Sequence, residues 1–442
     1  MTAHPPEASG GSGQAADSRR RLPVSRRRLL GAVGGLTAGA AAAGAGAALA
    51  SSEAPGPGGG YLDGVEPFYG VHQGGILTSQ QSHTYLAALD VTTERRQDLA
   101  GLLRHWTDIA ARLSAGATAG PLASDPDKNE PDSGEAVGLG PARLTVNFGF
   151  GPTLFAKDGH DRFGLASQHP YELAELPQFP GDQLLESRTG GDLTVHACAD
   201  DPQVAFHAVR QLVRAADGVA SLRWSQAGFS EAPASAGTPR NLTGFKDGTI
   251  NPKTGAQLDQ YVWVGYEGPA WMTGGTYLVL RRITISLERW DTQTLGAQEK
   301  VIGRYKMSGA PLGKPGEFDS LDLQAKDGQG NLLIPADSHV RLASPQENWG
   351  AMMLRRSYSY DDGVNTVSNQ AASRRPTFDA GLLFACYQRN PLLAFVAIFR
   401  RLACNDPLRQ FTTHTGSAIV AIPPAAAGPG YWVGQRLLDS TG

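Results

Sequence analysis

Apolar residues recur at Leu99, Leu102, Leu103, Trp106, Ile109, Ala110 and Leu113. Steps of three and four residues place all seven on one face, so the spacing predicts an amphipathic helix. Thr92 or Thr93 stands where an N-cap belongs, and Gly116 where the helix should end. The preceding run Tyr85–Val91 predicts a strand, as do Leu144–Phe150 and Leu193–Cys198. Asp201-Pro202 then offers a capping carboxylate and a proline at the first helical position. Between these elements, 117–140 is polar and rich in Gly and Pro, with an acidic run at 125–132, which predicts a long surface loop.

The second half of the chain repeats this plan. Leu382–Tyr387 predicts a strand, and Asn390-Pro391 opens a helix as Asp201-Pro202 does. Ala205-Phe206 and Ala394-Phe395 share that offset of 189, and Thr84-Tyr85-Leu86 matches Thr276-Tyr277-Leu278 at 192. Two anchors at nearly equal offsets point to a duplicated unit. The order β-α-β-β-α-β implies an α+β fold of two ferredoxin-like halves, with sheets packed into one core and a site between them.

Composition adds compartment and exclusions. The chain has 442 residues, 41% hydrophobic and 18% charged, enough for one large or two ordinary domains. Residues 1–50 carry six arginines against one glutamate and one aspartate, a net of +4, which leaves −7 on the rest. Arg26-Arg27-Arg28 precedes an uncharged Ala/Gly-rich run that ends in Ala48-Leu49-Ala50. A basic segment, a weakly apolar segment and an A-x-A site read as a cleaved twin-arginine (Tat) export signal. Residues 51–64 read as a linker. Nothing basic of the nucleic-acid type is present. Cys198 and Cys386 lie in apolar runs, and the total of three is odd. Buried free thiols therefore fit better than a disulfide framework.

Candidate chemistry centres on Gly244-Phe245-Lys246-Asp247-Gly248. Alone, it reads as a tight turn with a solvated aspartate. Downstream, His339 lies in an alternating segment at 337–342, and a strand pattern over 352–360 puts Arg355 and Arg356 on opposite faces. The sequence has no H-E-x-x-H, paired CxxC, CxxCH, P-loop or G-x-S-x-G motif. One His, one Asp and one Arg suit a non-covalent haem peroxidase. The imidazole holds iron, the carboxylate shuttles a proton, and the guanidinium stabilises negative charge. A surface or core histidine and a solvated arginine face are the plainer alternatives.

Dispersed blocks then resemble one family. They are Tyr69-Gly70-Val71-His72-Gln73, Gly191-Asp192-Leu193, Gly244–Thr249, Gly275–Val279, Gly309–Gly313, Asp337–Arg341, Met353–Arg356 and Gly381–Phe384. In this order they resemble the dye-decolourising (DyP-type) haem peroxidases, and among them the Tat-exported deferrochelatase/peroxidase branch. The resemblance implies non-covalent haem b, held mainly by the C-terminal half. It implies His339 as proximal iron ligand, Asp247 as distal acid–base residue and Arg355 as distal arginine. Gly248, Thr249 and Ile250 are expected to line the haem, as are Ser344, Pro345 and Gln346. Relatives are expected to carry Arg where Gln346 stands, so a propionate contact is in question here. Asp379 is a candidate acceptor for the His339 N–H.

The implied domains are 1–50 signal, 51–64 linker, 65–218 N-terminal half and 219–436 C-terminal haem-binding half. The implied reaction is reduction of hydrogen peroxide with one-electron oxidation of small organic donors such as dyes and phenolics. Alternatives are a deferrochelatase that frees iron from an intact porphyrin, and a haem or iron carrier. The Tat machinery is an expected partner, with extracellular or periplasmic location. Iron-uptake partners and a homo-oligomer are compatible with the branch, and nucleic acid is not expected. Trp263, Trp290, Tyr387 and Trp432 are candidate electron relays or plain core.

Overall fold

The computed structural model describes residues 63–122, 125–230, 237–365 and 377–439. The expected signal peptide and most of the linker fall outside them. Contacts set 1–55 apart from a unit spanning 56–442, which holds everything below.

Strand β1 (His83–Val91) leads into helix α1 (Arg96–Ser114), then β2 (Thr145–Phe150), β3 (Leu193–Ala199), α2 (Pro202–Ala215) and β4 (Ala220–Phe229). The second half runs α3 (Gly255–Tyr261), β5 (Thr276–Ile285), α4 (Leu287–Asp291), α5 (Leu295–Ile302), α6 (His339–Leu342), β6 (Leu354–Arg355) and β7 (Tyr358–Asn365). It closes with β8 (Thr377–Gln388), α7 (Ala397–Asn405), β9 (Thr412–Ile422) and α8 (Gln435–Leu438). The strands form one antiparallel sheet in the order β5-β9-β2-β3-β1-β4-β7-β8-β6, and β8 also pairs with β5. That extra pairing closes the run from β5 to β8 into a barrel, with the two-residue β6 appended to β8. The sequence reading expected two sheets packed together with a site between them; the edges instead pair with each other and leave fewer open backbone groups.

Alternation along the strands sorts side chains to two faces. Leu86, Leu278, Leu280, Leu383, Tyr387 and Val420 belong to one buried cluster. Their neighbours Ala87, Leu89, Tyr277, Val279 and Ala421 belong to another, with α1 and α2. All seven stripe residues of α1 are buried. Each buried leucine or isoleucine there contributes about 1.5–3 kcal/mol. Trp106 also donates from Nε1 to the Leu212 carbonyl at 2.7 Å, tying α1 to α2.

Caps follow the sequence in part. Asp201 accepts from the amides of Gln203 and Val204, and Asn390 from those of Leu392 and Leu393. Neither Thr92 nor Thr93 caps α1. The helix starts at Arg96, and the Thr93 hydroxyl donates to Asp98 instead. The acidic loop is also less solvated than its composition predicts. Asp132 is buried, accepts from the amides of Ala119 and Gly134, and faces His207 of α2 at 3.3 Å. Cys198 and Cys386 are buried free thiols as expected, while Cys404 is exposed. The four candidate relays are all buried.

Candidate active site

The segment 241–250 forms one wall of the site because two glycines let it turn. Gly244 has φ +83, and a Cβ there would meet Lys306 Cε at 2.6 Å. Gly248 has φ +105, and a Cβ there would make only ordinary contacts, with Thr238 Cγ2 at 3.7 Å and Asn251 Nδ2 at 3.8 Å, so conformation alone calls for glycine. Phe245 is buried against Trp290, ring centroids 6.0 Å apart, and anchors the turn. Lys246 pairs with Glu317. Asp247 is left at the wall, its amide donating to the Pro239 carbonyl at 2.9 Å.

Arg355 comes from β6, which pairs with β8 so that Arg355 lies opposite Cys386. Asn251 clamps its backbone: the side-chain amide donates to the Arg355 carbonyl at 2.8 Å and accepts from the Arg355 amide at 3.1 Å. Its Nη1 donates to Asp247 Oδ1 at 3.2 Å, and Asn241 donates to the other carboxylate oxygen at 3.3 Å. As expected, the arginines diverge. Arg356 is buried and donates to the Thr78 carbonyl and to Gln81. The predicted strand over 352–360 is interrupted at Arg356 and Ser357, which separate β6 from β7.

His339 corrects the reading of an alternating segment. It opens the short helix α6, after a turn in which Ser338 donates to the Pro335 carbonyl. Its Nδ1 lies 2.6 Å from Asp406 Oδ2. Asp406 Oδ1 accepts from the Leu408 amide at 2.8 Å, which fixes the carboxylate as a helix cap. Burial opposes charge on the ring, but Asp406 outweighs it and the His339 pKa is raised. The expected acceptor Asp379 is elsewhere, paired with Arg282 at 2.8 Å. The sequence offered only a cap-like Asp406-Pro407 for the true partner.

These groups line one cavity of about 510 Å³. Asp247, Gly248, Thr249, Ile250, His339, Ser344, Pro345 and Arg355 all contribute. Gln346 does not; it is exposed within a short 3₁₀ turn whose cap is Ser344. Ile283, Ile285, Leu382, Phe384, Phe395 and Phe399 supply apolar surface. The site therefore lies against the C-terminal strands and α7, not between two sheets. A second cavity of about 400 Å³, lined by Gln80, Asn251, Lys253, Phe318 and Ser357, also reaches Asp247 and Arg355. The pair thus stands where an apolar chamber meets a more polar one.

Its size is that of a small-molecule or cofactor site. His339 Nε2 has no hydrogen-bond partner among the described residues, while Nδ1 is fixed by an acid. That is the arrangement of a metal-ligating imidazole. Walls of Ile and Phe suit a flat apolar ring system, so the residues present fit a haem.

Comparison with known proteins agrees with this geometry. The profile of the Dyp-type peroxidase N-terminal family matches residues 73–230, and that of the C-terminal family matches 238–427. A dye-decolorizing peroxidase of Thermobifida fusca is 39% identical over 83% of this chain and 84% of its own. A deferrochelatase of Shigella flexneri serotype 5b is 37% identical over 94% and 97%. Among solved structures, a DyP-type peroxidase of Streptomyces coelicolor is 42% identical with a TM-score of 0.78, covering 86% of this chain and 98% of its own. Ferric DtpA of Streptomyces lividans gives the same four values. With both profiles matched in order across the barrel, the chain belongs to the Dyp-type peroxidase family.

Proposed function

We propose that the large cavity binds haem b through His339 and that the protein reduces hydrogen peroxide while oxidising small organic donors. The observation that carries this is one cavity bearing both an acid-oriented imidazole and an Asp–Arg pair. The ferric state named for the Streptomyces lividans relative supports iron as the metal. When bound, haem supplies an iron centre that accepts two oxidising equivalents from peroxide and passes them on singly.

The protein's own groups handle protons and charge. Asp247 accepts a proton from one peroxide oxygen and returns it to the departing one, a role worth about 10²–10⁴-fold. Arg355 donates to the negative charge that develops on the departing oxygen. Asn241 and Arg355 together hold the carboxylate in one orientation. Asp406 fixes His339 with Nε2 free, and the apolar walls exclude water. Gly248, Thr249, Ile250, Ser344 and Pro345 act as cofactor contacts.

Incubation of the full-length chain with hemin should give a Soret band, and peroxide should then drive oxidation of a phenolic donor. An unchanged spectrum in His339→Ala would overturn the ligand assignment. A second reading, removal of iron from an intact porphyrin, is favoured by the high mutual coverage with the Shigella deferrochelatase. Iron-free porphyrin fluorescence accumulating in that incubation would select it.

We further propose that each half is a ferredoxin-like unit, residues 65–218 and 219–436, as a duplication would produce. The strand orders β4-β1-β3-β2 and, leaving out the two-residue β6, β9-β5-β8-β7 support this, because each places its four strands as fourth, first, third and second. Export through the Tat pathway to the periplasm or exterior rests on Arg26-Arg27-Arg28 and Ala48-Leu49-Ala50. Lysine replacement of those arginines should retain the protein in the cytoplasm.

A further inference from the structure

We infer that His414 is a carboxylate-binding residue of the large cavity, with its Nε2–H held ready to donate to an acid group on the occupant. The inference rests on the haem-peroxidase reading for what that occupant is. His414 lies on β9, opposite Ile283 of β5, and lines the cavity. Its Nδ1 accepts from Arg281 Nε at 3.1 Å. Arginine is always a donor, so Nδ1 carries no proton and the neutral ring must carry its proton on Nε2. Among the described residues Nε2 has no partner.

Holding this tautomer takes unusual machinery. Arg281 is fully buried, donates to Ser417 Oγ at 3.0 Å and pairs with buried Asp182. Its guanidinium also sits 5.6 Å from the Phe179 ring centroid and 5.4 Å from that of Phe399. Removing an ion pair from water is costly, and structural packing alone would be served as well by apolar side chains. Burial, then the Arg281 charge, push the imidazole down to about 3, so it stays neutral at working pH. A fixed N–H donor on a cavity-lining residue, with no acceptor among the described residues, calls for one in the ligand.

Neighbouring groups select the class. Gln183, Arg409, Gln410 and Thr413 line the same cavity. Arg409 is exposed and donates to the Ala403 carbonyl, and no acid pairs with it among the described residues. The acids that line the cavity, Asp247 and Asp406, are committed to Arg355 and His339, and Asp182 is committed to Arg281. Donors and an unneutralised guanidinium favour a carboxylate, either on the porphyrin edge or on an organic donor.

The test uses the full-length protein loaded with hemin or with hemin dimethyl ester. Dissociation is followed by transfer of the pigment to apomyoglobin. Hydrogen bonds to charged groups are the stronger kind, so His414→Leu should speed hemin loss about tenfold and leave ester loss unchanged. His414→Gln, which keeps an N–H donor, should restore most of the difference. If the carboxylate is on the donor instead, His414→Leu should raise KM for 4-hydroxybenzoate about tenfold but not for 4-hydroxybenzamide. Flat ratios in both pairs overturn the inference while leaving the function intact. Failure of the wild-type chain to take up hemin overturns the haem reading and this inference with it.

Discussion

Arg355 donates through Nη1 to Oδ1 of Asp247 across 3.2 Å, although 108 positions separate them in the chain. The contact joins the glycine-bounded turn to β6, so the carboxylate and the cation form one unit. Asp247→Asn keeps the shape and removes the base. Stopped-flow mixing of the hemin-loaded variant with peroxide should show the Soret change slowed about 10²–10⁴-fold, with the resting spectrum retained. Equal rates in variant and wild type would remove Asp247 from the proton path.

Neighbouring Arg355 and Arg356 should separate function from stability. Arg356 is buried and bonds Thr78 and Gln81 across the barrel wall, away from the cavity. Arg356→Leu leaves those acceptors unpaired, at about 1–3 kcal/mol each. Urea unfolding should register a loss of about 2–4 kcal/mol. Arg355→Leu should lower peroxide reactivity with a much smaller change in unfolding midpoint. The opposite pattern would mean that the two side chains have been assigned to the wrong faces.

Asp406 should tune the ligand without touching the iron. Its charge orients His339 and raises the basicity of the ring. Asp406→Asn should cost about 10–100-fold in haem retention or turnover. The reduction midpoint should move to more positive values, because a less electron-rich imidazole stabilises the ferric state less. Spectroelectrochemical titration reads this directly, and an unchanged midpoint would argue that Asp406 serves only as a helix cap.

The depressed pKa of His414 sets a pH dependence of folding. Unfolded histidine takes up a proton near pH 6.5, whereas the folded residue waits until about 3. Between those values the unfolded chain binds the extra proton, so stability falls as pH falls. His414→Gln lacks this term. Its unfolding free energy, measured in urea at pH 7, 6, 5 and 4, should decline less steeply than that of the wild type. Parallel curves would contradict a neutral, proton-excluding site.

How much of this was legible beforehand follows from the range of the interactions. The α1 stripe, the Asp201 and Asn390 caps and the buried Cys198 and Cys386 were readable because each depends on local spacing or local apolar context. Asp247, His339 and Arg355 were found through motif blocks whose order survives in the chain. His339 was nevertheless read as part of an alternating segment, since four helical residues are too few to show a period. Gln346 was expected at the cavity and lies outside it, because a 3₁₀ turn rotates successive side chains onto different faces.

Asp406 and His414 were missed as site residues for a different reason. Each acts through a partner far along the chain: Asp406 on His339, and Arg281 on His414. No local pattern distinguishes a capping aspartate from one that also grips an imidazole, so the sequence reading named Asp379 and passed over Asp406. Barrel closure was hidden in the same way. The sequence by itself determined several of the elements, their duplication-like order and the three residues on which the proposed chemistry rests, because periodicity, capping and motif blocks are local properties. Tertiary structure alone decided that β8 returns to β5, which arginine enters the cavity, and which acid holds the histidine, because those depend on strand register and on contacts between distant segments.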